Sequence, residues 1–245
     1  MGEFLMYEPR FYREWTSNRY KKFTVSYQET DLLIYAPKKL VEETYEEVRR
    51  LRKRLDYYIN SHPAFLSSFV PLEIYGNAPD EVKVMAEMSA RVGVGPMAGI
   101  AGLFAERIGC YLLDYTDEVI VENGGDIFLS LNEDSRIGLY AGKGSPFSDK
   151  LAIKVFPRQK PLGICTSSGR LGPSFSKGKA DAVTVVSSST ILADTAATAA
   201  CNRIKNRDDI AETINWLKGI EGIIAAVIMM DDQLGVWGDI ELIKR

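Results

Sequence analysis

Residues 181–204 read DAVTVVSSSTILADTAATAACNRI, and where this stretch divides decides the fold. Its first part, Asp181 to Ser187, is a short run of β-branched residues and reads as a strand. From Thr190 to Ile204 alanine takes over, which favours helix, and Ser189 or Thr190 stands where an N-cap hydroxyl belongs. A helix made of small residues can press close to a sheet or to a ligand. Asp194 and Thr198 lie four positions apart and so project from one face of it. A carboxylate, a hydroxyl and a nearby backbone carbonyl, with ligand phosphates and water, are enough to hold Mg²⁺. A plainer reading also stands: a core helix in which Asp194 is favoured near the positive end of the helix dipole.

Outward from this stretch, helices and strands come in blocks. Tyr20 to Ala36 reads as a hairpin with its turn at Gln28 to Asp31. Pro37 then opens an amphipathic helix whose stripe is Leu40, Val41, Tyr45, Val48, Leu51, Leu55 and Tyr58, ending near His62 and Pro63. Two further helices are predicted over Asp80–Arg91 and Pro96–Ile108, the second with proline at its first position. Strands dominate the middle, at Glu118–Glu122, Asp126–Leu131, Ile137–Ala141, Leu151–Phe156, Leu162–Thr166 and Ala182–Ser187. After the alanine-rich segment come a helix over Asp208–Lys218 and strands at Ile223–Met230, Leu234–Trp237 and Ile240–Ile243. Block order rather than strict alternation predicts an α+β class with largely antiparallel sheets packed with helices. No solenoid repeat or Pro/Ser linker interrupts it, so one domain over 1–245 is expected, with residues 1–18 as a peripheral extension.

At 245 residues and 46% hydrophobic composition the chain can bury a sizeable core. Its formal charge of −3, with signs mixed along the chain, gives no basic stripe for nucleic acid. The apolar run Ile223–Met230 is too short for the roughly 20 residues of a membrane-spanning helix. Cys110, Cys165 and Cys201 lack the spacing of a zinc site or a disulfide framework, and the N-terminus lacks a signal-peptide pattern; a cytoplasmic protein is expected. His62 is the single histidine, placed at a helix end where capping and packing are ordinary roles, so a His-dependent hydrolase is not supported.

Three glycine-bearing segments carry further chemistry. Gly93 to Gly99, GVGPMAG, fits a loose dinucleotide pattern, but the helical VMAEMSAR before it argues for a turn between helices. Gly99 and Gly102 weaken the helix they enter unless close packing or a ligand compensates. ENGGD, from Glu122 to Asp126, is hairpin-turn chemistry, and its bare backbone at Gly124 and Gly125 would also admit a ligand. Thr166-Ser167-Ser168-Gly169 gathers hydroxyls at a strand end, which suits either a phosphate or a plain turn.

The order of these pieces adds a resemblance. Gly124-Gly125-Asp126-Ile127, then Thr166-Ser167-Ser168-Gly169, the strand DAVTVVS, and Ala193-Asp194-Thr195-Ala196-Ala197-Thr198-Ala199 together resemble the ApbE-like proteins, over the region from Gly93 to Ile204. The best-known members of that family are FAD:protein FMN transferases. The resemblance implies Mg²⁺ bound through Asp194 and Thr198, with Asp194 also a candidate base. It further implies FAD as substrate or ligand, cleaved at its pyrophosphate so that FMN passes to a threonine or serine of an acceptor protein and AMP leaves. Gly95 and Gly99, Gly124 to Asp126 and Thr166 to Gly169 fall at the family's nucleotide-binding positions, with a backbone carbonyl of the Gly95–Gly99 stretch joining the metal. Two departures bear on this: Met97-Ala98-Gly99-Ile100 stands in place of the family's Lys-Gly-x-Ala, and RLGPSFSKGKA before Asp181 lacks its His-x-x-Asp-Pro. A non-catalytic flavin- or nucleotide-binding protein on the same fold is therefore the rival expectation. A homo-oligomer is compatible with either.

Overall fold

The computed structural model describes residues 20–74, 76–170 and 177–245; the expected extension at 1–18 lies outside them. Strands β1 (Lys21–Tyr27) and β2 (Thr30–Ala36) form the first hairpin. Their ladder closes at Tyr27 and Thr30, so the connection is tighter than the polar stretch suggests, and Gln28 takes a left-handed φ of 53° to make it.

Helix α1 (Val41–Ser61) buries Val48, Leu51, Leu55 and Tyr58 as expected. Val41 and Tyr45 are instead exposed, because at 3.6 residues per turn they fall at the margin of the stripe and Thr44 and Glu47 take the buried positions. His62 caps this helix, its ring stacked on Tyr58 at 4.2 Å. The short helix α2 (Ala64–Ser67) follows, then α3 (Asp80–Val92), ended by Gly93 in the left-handed conformation. The helix predicted from Pro96 begins instead as a 3₁₀ turn, Pro96–Gly99, before α4 (Ile100–Leu112).

The remaining order is β3 (Val119–Asn123), β4 (Asp126–Ser130), β5 (Ser135–Gly138), β6 (Leu151–Val155), β7 (Leu162–Ser167), β8 (Ala182–Ser187), α5 (Thr190–Arg203), α6 (Asp209–Lys218), β9 (Ile223–Met230), β10 (Gln233–Gly238) and β11 (Glu241–Lys244). An eight-stranded sheet runs β1-β2-β3-β4-β7-β8-β9-β10, and a three-stranded sheet runs β11-β6-β5, with antiparallel pairing throughout. The fold is α+β, as block order predicts.

Side chains alternate across the large sheet. On β2, Leu32 and Ile34 join the core made with α1 and α4, while Leu33 and Tyr35 join the core beneath the small sheet. On β8 and β9, Val183, Val185, Ala226 and Ile228 meet α5 and α6, while Val186, Val227 and Met229 face the small sheet. Burial on both faces explains why IIAAVIMM is continuously apolar rather than alternating. Among the described residues no single helix is long and apolar enough to cross a membrane.

Candidate functional site

Alanine-rich α5 is buried on nearly every side, and Thr198, Asn202 and Arg203 are its residues that are not buried. Such a helix needs neighbours that let its backbone approach, and glycines supply them. A Cβ at Gly102 would stand 2.6 Å from the Thr190 carbonyl oxygen, one at Gly99 2.8 Å from Thr195 Cγ2, and one at Gly163 2.4 Å from Thr190 Cα. The helix is therefore wedged between α4 and β7.

Its N-terminus is closed from two directions. Ser189 Oγ accepts from Leu192 N at 3.3 Å, the expected cap, and the Glu106 carboxylate on α4 accepts from Ser189 Oγ, Thr190 N and Ile191 N at 3.0, 2.5 and 3.3 Å. The role of Glu106 is invisible in the sequence, because its partners are more than 80 positions away.

Asp194 lies where α4 crosses. It is 8% exposed, and its Oδ2 accepts a hydrogen bond from Gly102 N at 2.8 Å. Asp126, also 8% exposed, opens β4 and accepts from Thr166 N on β7 at 3.3 Å. Between these elements Cys165 directs its thiol toward the Thr190 carbonyl at 3.4 Å and toward Asp126. Burial pushes the Asp126 carboxyl up to about 7, with the negative charge of Glu122 adding to it; the Cys165 thiol and Thr166 N–H work against the rise. Burial likewise drives Asp194 well above the ordinary carboxylate range, with the charge of Asp126 next in importance, against the N–H groups of Gly102 and Ala101. Cys165 is raised by burial and by both acids. Two buried carboxyls that repel one another in this way resist being ionised together unless a cation joins them.

The other expected site residues divide into groups. Thr198, one turn beyond Asp194, is half-buried and shares its face of α5, whereas the Thr195 hydroxyl is spent inside the helix on the carbonyls of Ile191 and Leu192, both at 3.1 Å. Gly124 and Gly125 form the two-residue β3–β4 turn with φ of 67° and 104°, and nothing lies within 4 Å of where their Cβ atoms would be. This turn is tied to α4 by Asn123 Nδ2, which donates to Ala101 O at 3.2 Å, and is closed on itself by Gly125 N, which donates to Glu122 Oε1 at 2.7 Å. Thr166 bonds Thr184 through their hydroxyls at 2.8 Å, and Ser167 is buried in β7. Ser168 Oγ accepts from Arg170 N at 3.1 Å, and a Cβ at Gly169 would lie 2.2 Å from Gly178 O, so this end of the turn is occupied by the chain itself.

Gly95 and Gly99 differ from Gly124 and Gly125: their bare faces are filled by protein. A Cβ at Gly95 would strike Ser68 O at 1.8 Å, which makes close packing the reason for glycine there. Among the described residues no three His, Cys, Asp or Glu side chains converge as ligands. An oxygen-bound cation here would rest on few protein ligands.

The model of a family described as AbpE bacteria matches residues 13–219. A UPF0280 protein of Methanocella arvoryzae is 36% identical over 237 residues, covering 94% of each chain, and one of Methanospirillum hungatei JF-1 is 41% identical, covering 89% of this chain and 88% of that one. Among solved structures, flavin transferase ApbE from Vibrio cholerae superposes with a TM-score of 0.59 at 14% identity, over 89% of this chain and 96% of that one. The apo form of Pseudomonas stutzeri flavinyl transferase ApbE gives 0.59 at 15%, over 89% and 94%. These two likenesses are likenesses of fold.

Proposed function

This chain belongs to the AbpE bacteria family, with UPF0280 proteins as relatives, and from that premise we propose Mg²⁺-dependent chemistry on a flavin or related nucleotide diphosphate, FMN transfer from FAD to a protein hydroxyl being its most explicit form. The observation that carries the proposal is the buried pair Asp126 and Asp194, whose burial and mutual repulsion make ionising both costly unless a cation supplies the compensating charge. A hard divalent cation fits that charge, and oxygen donors are what the site offers: the Asp194 carboxylate and the half-buried Thr198 hydroxyl one turn on. Bound Mg²⁺ supplies neutralisation of a diphosphate and of the charge on a departing AMP.

The protein's own share is positioning. The N–H groups of Gly102 and Ala101 hold the Asp194 carboxylate in place. Thr166 N fixes Asp126 in the same way. The open backbone at Gly124 and Gly125 lets a phosphate or ring edge approach closely. Asp194 is also the candidate base for the proton of an acceptor hydroxyl.

Purified protein incubated with FAD and Mg²⁺, with and without a candidate acceptor, is expected to release AMP, and Asp194→Ala to lower the rate about 10³-fold, the scale of lost metal-borne charge stabilisation. Equal AMP release from the variant would remove Asp194 from the chemistry. Saturable FAD binding without turnover in the wild type would make the protein a binding module on the same fold.

A further inference from the structure

We propose that Lys177, in the RLGPSFSKGKA segment that departs from the family pattern, is a phosphate-binding cation of this site; the idea rests on the reading of the site as one for a phosphorylated ligand. Asp194, Thr198 and Asn202 follow one another at four-residue steps on α5 and so form one stripe, buried at Asp194 and half-buried at Thr198 and Asn202. Lys177 is anchored where that stripe reaches the surface. Its N–H donates to Asn202 Oδ1 at 2.7 Å, and its carbonyl accepts from Lys205 Nζ at 2.6 Å. The next residue, Gly178, lies so close to α5 that a Cβ there would meet Cys201 O at 1.7 Å. The backbone of Lys177 is therefore fixed on the helix while its side chain is exposed.

The direction of that side chain is also defined. Lys177 Nζ lies over the Phe69 ring, 5.4 Å from its centroid, and the Phe69 backbone packs on Gly95, whose Cβ would stand 3.1 Å from Phe69 Cα. The lysine thus runs from the Asn202 end of the Asp194–Thr198–Asn202 stripe, where its backbone is held, to the Phe69 ring beside Gly95. A diphosphate neutralised at one end by a divalent cation carries leftover negative charge, and a lysine on the same stripe is suited to take it as a strongly hydrated point charge. The ring of Phe69, 65% exposed, gives the lysine stem an apolar surface to lie on.

The test measures binding of FMN, riboflavin and ADP, each with Mg²⁺, to wild type, Lys177→Met and Lys177→Arg, with thermal melts as a folding control. Lys177→Met is expected to weaken FMN about tenfold, as for loss of one charge-assisted hydrogen bond, and to leave riboflavin, which lacks the phosphate, unchanged. Lys177→Arg is expected to recover most of the affinity. Asn202→Ala, which frees the backbone anchor, should weaken FMN without weakening riboflavin. FMN bound equally by wild type and Lys177→Met would overturn the lysine's role and leave the flavin reading standing. ADP bound in a Lys177-dependent way with no flavin bound would retire the flavin reading and keep the lysine. No binding of any of the three by wild type would end both.

Discussion

Glu81 on α3 and Asp194 on α5 are both buried acids, and they are treated in opposite ways. Glu81 on α3 is 1% exposed, and Arg54 of α1 reaches it with a two-pronged hydrogen bond. Burial works to raise its pKa, but the Arg54 hydrogen bond, a backbone hydrogen bond and nearby positive charge outweigh it, so Glu81 stays ionised below the ordinary range. On α5 the neighbour of Asp194 is another acid, and both rise. The first arrangement joins two helices. The second sets acid beside acid, so that ionising both is costly without a cation, which is how a site differs from a strut.

The two arrangements should consequently respond to pH with opposite signs. The folded protein holds a proton on Asp126 that the unfolded chain has released, so its contribution is complete below about pH 4 and is lost as pH rises toward about 7. That loss amounts to about 4 kcal/mol at most. Thermal melts across this range in EDTA should show it, Asp126→Asn should flatten it, and an unchanged slope in the variant would mean that the acid pair is not under tension. Glu81, being depressed, contributes stability above the ordinary carboxylate range and loses it as pH falls through its lower folded value. Arg54→Met is therefore expected to cost about 3 kcal/mol in urea unfolding near neutral pH, and to lose much of that cost in acid, where Glu81 is protonated. The smallest effect concerns packing: Gly102→Ala forces a methyl against the Thr190 carbonyl and should cost roughly 2 kcal/mol in unfolding experiments. Gly102→Ala with wild-type stability would show that α4 and α5 can part without cost.

The same contrast explains what the sequence discloses. The stripe of α1 is legible because a helix with one buried face writes its period into the residue order. Helix α5, buried all round, writes no period, and its alanine composition and the order of neighbouring motifs identify it instead. Asp194 and Thr198 are foreseeable as one face of one helix. The pairing of Asp194 with Asp126 is not, because it depends on β4 passing over β5 and β6 to pair with β7, which brings Thr166 and Cys165 beside Asp126. Gly99 and Gly102 are glycines that need a reason, and local sequence does not distinguish a neighbouring helix from a ligand as that reason. The Glu106 cap and the anchoring of Lys177 are long-range for the same cause.

The small sheet has a consequence for how the protein is made. Strand β6 pairs with β5 on one side, but its other edge is covered by β11, from Lys154 with Glu241 to Leu151 with Lys244. During synthesis at roughly 5–20 residues per second, that edge leaves the ribosome several seconds ahead of its partner. For that interval β6 presents unpaired N–H and C=O groups beside Ile153 and Val155, side chains that end up buried. The nascent chain is open at that edge to pairing with a second nascent chain, and its yield in a cell should depend on how fast translation brings Glu241 to Lys244 into reach.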